Sequence, residues 1–152
     1  MVPRVAHQRG VVPDTHAEFM NKLKLYRLVL LISIVSNLVV GVIIFVTPDS
    51  FTSFAGQPEA FPKTWPRHWG AQLWAINFLY LPGYRDPLTQ RWPNWMGIFI
   101  RLTFALFFFS QGDGFIAMGI YDGVSGLLLL ATYLPVVRSA TTGSRTNNVT
   151  VA

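Results

Sequence analysis

The chain of 152 residues contains no cysteine, only seven acidic residues and only three histidines. Without cysteine there is no disulfide, no thiolate metal site and no cysteine nucleophile. The histidines are His7, His16 and His68, and only the last lies near a long apolar run. That leaves no metal-ligand constellation and no pair of axial haem ligands within one helical bundle. The patterns GxSxG, HExxH, GxGxxG and the Walker phosphate loop are also missing. Charged residues are scarce at 12% of the chain, against about 25% in an ordinary soluble domain.

What is present is apolar. Hydrophobic residues make up 51% of the chain, gathered in a few long runs. This composition predicts an all-α integral membrane protein with spans at about 25–46, 65–81, 95–110 and 115–137. The two termini, 1–14 and 138–152, read as disordered tails, the second rich in Thr, Ser and Asn. A capping-box pattern at Thr15–Glu18 predicts that the first helix starts well before its apolar stretch. That stretch follows about 25 mixed residues and lacks a small-residue cleavage site, so it reads as a retained span. Ser50–Gly56 reads as a short helical turn at the membrane interface, and Pro82-Gly83 as the end of the second span.

The net charge of +5 does not point to nucleic acid, because the basic residues follow the apolar runs rather than a binding motif. Arg4, Arg9, Lys22, Lys24 and Arg27 precede the first span, Arg85 and Arg91 separate the second and third, and Arg138 and Arg145 follow the fourth. In an up-down bundle of four antiparallel helices all of these lie on one side. The other side has only Lys63 and Arg67, offset by Asp49, Glu59 and Asp113. The positive-inside rule then places both termini in the cytoplasm of a multi-pass protein, with the bacterial inner membrane the natural location.

The third and fourth runs each carry one charge in the middle, Arg101 and Asp122, on either side of the tight link Gln111–Gly114. Arg101 is about 11 residues before the link's centre and Asp122 about 9 after it, so at ~1.5 Å per residue their depths differ by about 3 Å. Both fall near the midplane of a ~30 Å hydrocarbon core. The same count brings Asn37 of the first span and Asn77 of the second to that level. Four helices thus offer Arg101, Asp122, Asn37 and Asn77 as one midplane polar layer. Gly119, Gly123 and Gly126 form a small-residue stripe beside Asp122 that suits close helix packing. The layer has two readings. It fixes helix register as a paired and hydrogen-bonded set, or it lines a cavity for a polar headgroup, a quinone carbonyl, an anion or a proton. His68, beside Arg67 and Trp69, is most simply an interfacial residue; its alternative role is a quinone-contacting or axial ligand, making His68 and Arg67 a second candidate site.

Four short spans, a Phe/Pro-rich loop after the first, an arginine in the third and the motif Gly119-Ile-Tyr-Asp122-Gly-Val-Ser-Gly126 in the fourth resemble small DoxX-like four-helix membrane proteins. The resemblance covers roughly residues 22–137. It implies a setting in quinone-linked respiratory or sulfur oxidation and supplies no catalytic residue. The leading expectation is a non-catalytic subunit or scaffold in the lipid bilayer, packed against itself or other membrane subunits, with no cofactor. The alternatives are a quinone-binding oxidoreductase component and a small proton- or anion-coupled transporter, both built on Arg101 and Asp122.

Overall fold

In an apolar medium a backbone must satisfy its own hydrogen bonds, and a helix does so within one segment. The computed structural model describes residues 15–149, with side chains for residues 16–141, and among these residues it contains helices and no strand. The order is α1 (Thr15–Val46), α2 (Pro48–Phe54), α3 (Thr64–Arg85), α4 (Arg91–Ser110), a single 3-10 turn (Asp113–Phe115) and α5 (Ile116–Val149). The tail at 1–14 and the last three residues lie outside the described part.

Three helical segments are long and apolar enough to cross a membrane: His16–Val46, Arg91–Ser110 and Asp113–Thr141. Helix α3, the expected second span, has 22 residues but is not among them. Arg67, His68, Gln72 and Asn77 dilute its apolar content. Two other boundaries differ from the sequence reading. Helix α3 runs through Pro82-Gly83 to Arg85 rather than stopping there. The proline removes one donor near the helix end, and the last carbonyls find partners elsewhere. Asn94 Nδ2 donates to the Gly83 carbonyl at 3.3 Å, and Arg27 Nη2 to that of Arg85 at 2.8 Å. Helix α5 continues beyond 137, so residues 138–149 are helical instead of an irregular tail. No proline follows Pro135 to interrupt the ladder.

Helix α1 packs on α3 and α5, and α4 packs on α5 and α3, the last pair being the loosest. The buried positions of α1, Leu23, Tyr26, Leu30, Ser33, Ile34, Asn37, Gly41 and Ile44, fall on one helical stripe. Its remaining faces expose Leu28, Ile32, Val35 and Val39. A face that apolar suits lipid and not water. At one end of the helices a dense core forms from Tyr26, Leu30, Ile34, Tyr80, Ile98, Leu129, Tyr133 and Val136. Tyr26 and Tyr133 meet at 4.7 Å between ring centroids, and the Tyr133 hydroxyl donates to the Pro87 carbonyl at 2.8 Å.

Towards the other end, α1 and α3 touch through Gly41 and Gly70. A Cβ on Gly70 would lie 2.7 Å from the Gly41 carbonyl oxygen and 3.0 Å from the Phe45 nitrogen, both backbone atoms that cannot swing aside. Of the glycine stripe on α5, Gly119 faces Phe109 and Gly126 faces Leu102, so the stripe meets α4. Gly123 has room, since a Cβ there would meet only Ala105 at 3.5 Å. Gly70→Ala should therefore cost about 1–3 kcal/mol through overpacking, while Gly123→Ala should be close to neutral. Reversible unfolding of the two variants in detergent measures the contrast.

Candidate functional site

Each long helix delivers one polar group to a common level. Arg101 sits on the inward stripe of α4 with Gly97, Ile98 and Ala105, and only 3% of it is exposed. Its Nη1 donates to Asp122 Oδ1 on α5 at 2.9 Å. Its Nη2 donates to Asn37 Oδ1 on α1, also at 2.9 Å. Asn37 Nδ2 in turn reaches Asn77 Oδ1 on α3 at 3.4 Å. The structure thus brings Arg101, Asp122, Asn37 and Asn77 into one connected layer. The guanidinium serves a charged acceptor and a neutral one, and its own positive charge strengthens both bonds.

Two members of this layer are not conspicuous in the sequence. The Tyr121 hydroxyl donates to Asn37 Oδ1 at 2.9 Å and lies 2.8 Å from Ser36 Oγ. The Tyr121 ring also lies under the guanidinium, 5.6 Å from Arg101 Cζ to the ring centroid, within cation–π range. A tyrosine beside an intramembrane aspartate is a usable signal, because its buried hydroxyl needs a partner. The serine gives none, as hydroxyls are common in such helices.

The layer is a floor. On one side of it lies the dense core; on the other a cavity of about 680 Å³ opens. Asn37, Tyr80, Arg101, Tyr121 and Asp122 line its polar end. Its walls are Leu73, Ile76, Trp65 and Trp69 from α3 and Ile100, Phe104, Phe107 and Phe108 from α4. Helix α2 and the residues after it close the far end with Phe51, Phe54, Ala55 and Gln57. Aromatic contacts hold that end together: Phe51 meets Trp69 edge-on at 5.5 Å, and Phe108 stacks on Phe115 at 6.0 Å. Gln57 Nε2 donates to the Gly114 carbonyl at 3.3 Å, joining the two links. Lys63 pairs with Asp49 of α2 at 2.5 Å, and this hydrogen bond holds the Lys63 ammonium above its ordinary pKa.

The cavity arises where α3 and α4 splay apart. Near their shared link they are locked, because Gly97 admits the Tyr80 ring and Gly83 admits the Asn94 side chain. Beyond Arg101 large side chains line the gap between them, and Trp69 and Phe108 meet across it at 6.1 Å between ring centroids.

The second candidate site does not join this one. Arg67 and His68 are exposed on the first turns of α3 and do not line the cavity. His68 Nε2 lies 3.0 Å from Gln72 Nε2 on the same helix. The helical period decides this: Trp65, Trp69, Gln72, Ile76 and Tyr80 share the cavity face, and positions 67 and 68 point elsewhere. Among the described residues no group of three or more His, Asp or Glu side chains could hold a metal ion.

No family model matches the chain, and comparisons with curated proteins and with solved structures return no match.

A pair this well enclosed makes a sharp energetic prediction. Removing one partner of a buried ion pair leaves an uncompensated charge and costs about 3–5 kcal/mol, whereas replacing both with apolar groups is often close to neutral. Arg101→Met should therefore destabilise the protein by that order, and adding Asp122→Leu should restore much of the loss. Thermal unfolding of the single and double variants in detergent gives the coupling directly.

Proposed function

We propose that this chain is a small multi-pass protein of the bacterial inner membrane that holds a hydrophobic ligand and performs no chemistry of its own. In this reading α1, α3, α4 and α5 form an antiparallel four-helix bundle with both termini in the cytoplasm. The short links between α3 and α4 and between α4 and α5 suit antiparallel neighbours. Helix α3 crosses the membrane with the others. Its polar residue Asn77 is buried against Asn37, while its outward face shows Phe78, 70% exposed, and Leu79. The observation that carries the proposal is the cavity: its aromatic walls end on a hydrogen-bonding floor. Ligand pockets are characteristically apolar with a few convergent polar groups, and ionisable residues inside a membrane face such cavities.

A quinone is the second reading. A flat ring fits walls made by Trp69, Phe104 and Phe108, and the DoxX-like resemblance points to the same chemistry. The role would be that of an accessory subunit which stores or presents the molecule to a larger membrane complex. The outward apolar residues, among them Phe99 and Leu106 on α4, offer contact area to such a neighbour, to a second copy or to lipid.

The absence of cysteine makes topology directly testable. Single cysteines at Ser50 and Thr89 should label from opposite sides with a membrane-impermeant maleimide. Ser50→Cys should react in intact cells, and Thr89→Cys only after the membrane is opened. The same side for both would end the four-span reading.

The ligand is tested by native mass spectrometry of protein extracted from its own membrane in mild detergent. The wild-type chain should carry an added small-molecule mass, and Leu73→Trp, which fills the cavity, should lose it while remaining folded. A bare chain mass in the wild type would leave only the scaffold reading.

A further inference from the structure

The polar atoms at the cavity floor restrict what can bind there. Arg101 spends one N–H of Nη1 on Asp122 and one of Nη2 on Asn37, its Nε is buried without a partner, and only 4% of the side chain is exposed to a ligand. Asn37 Oδ1 already accepts from both Arg101 and Tyr121, and its amide donates to Asn77. Asp122 differs. Only Oδ1 is used; among the described residues Oδ2 has no hydrogen-bond partner, and the side chain keeps 16% of its surface exposed as part of the cavity wall. A carboxylate oxygen accepts and cannot donate. The group that meets it must be a donor.

The charge of that donor is also restricted. Arg101 already balances Asp122, so an ammonium at Oδ2 would leave the layer with an uncompensated positive charge in an apolar medium. A hydroxyl donates without adding charge. The remaining wall is mostly apolar, with Trp69, Leu73, Ile76, Phe104 and Phe108, and suits an apolar body; its polar exceptions, Gln57 and Gln72, are already bonded to the Gly114 carbonyl and to His68. Resting on the ligand-holding reading above, we infer that the occupant is a hydrophobic molecule bearing a free hydroxyl, which donates to Asp122 Oδ2 at the floor while its apolar body fills the aromatic half. Tyr80 lines the same end of the cavity. A reduced quinone and a lipid alcohol share this chemistry.

The test compares headgroups on one tail. Dibrominated octadecanol, its methyl ether and the corresponding methyl ester are titrated into the full chain in detergent, and quenching of tryptophan fluorescence reports occupancy beside Trp65 and Trp69. The alcohol should bind about tenfold more tightly than the ether, the difference expected for one hydrogen bond to a charged acceptor. Asp122→Asn should shrink that preference; if the variant does not fold, the comparison on the wild-type chain decides alone. Equal affinities for alcohol and ether, or tighter binding of the ester, overturn the hydroxyl inference and leave the cavity as a binding site. No quenching by any of the three overturns the ligand-holding reading itself. Mass spectra of lipids extracted with the protein then separate the two sources, a reduced quinone from a lipid alcohol.

Discussion

Everything in this structure is arranged around one guanidinium. A charge at the depth of Arg101 is intolerable alone, and no single neighbour satisfies it. Asp122 supplies the countercharge from α5 and Asn37 a neutral acceptor from α1. The two bonds pin three helices at one height, and the Asn37–Asn77 contact brings in the fourth. Apolar surfaces in lipid slide past one another with little preference, since lipid tails are as apolar as the side chains they replace. A shared polar layer removes that freedom: any shift of register strands a buried donor or a charge.

The layer also divides the molecule. Below it Tyr26, Tyr80, Tyr133 and their neighbours fill the space between the helices. Above it the helices are held apart. Large rings line the gap between α3 and α4, and α2 spans the far end with its aromatic contacts and the Lys63–Asp49 pair. One half is filled by side chains and the other encloses a cavity, and the polar floor bounds both.

Much of this was legible in the sequence, for specific reasons. Arg101 and Asp122 stand out because nothing else charged interrupts their runs, and counting residues from a tight link gives their depth. Asn37 and Asn77 follow from the same count. Tyr121 escapes because its partner lies on a helix more than eighty positions away in the chain. The length of α3 escapes because the penalty of Pro82 is offset by Asn94 and Arg27, which satisfy carbonyls from other helices. The cavity is the least legible feature. It depends on where pairs such as Gly97–Tyr80 and Gly41–Gly70 let helices close, and so on tertiary geometry that no local pattern encodes.

The placement of the cavity above the floor has a consequence for traffic. The filled half lies at the end that carries the basic residues, and the open half lies opposite. Under the proposed topology, with the termini in the cytoplasm, the cavity would lie in the outer leaflet alone. A molecule in the inner leaflet would then meet a solid wall and have to flip across the bilayer before capture. Such a protein would report on, or draw from, one face of the membrane, and its occupancy would track lipid asymmetry as much as total abundance.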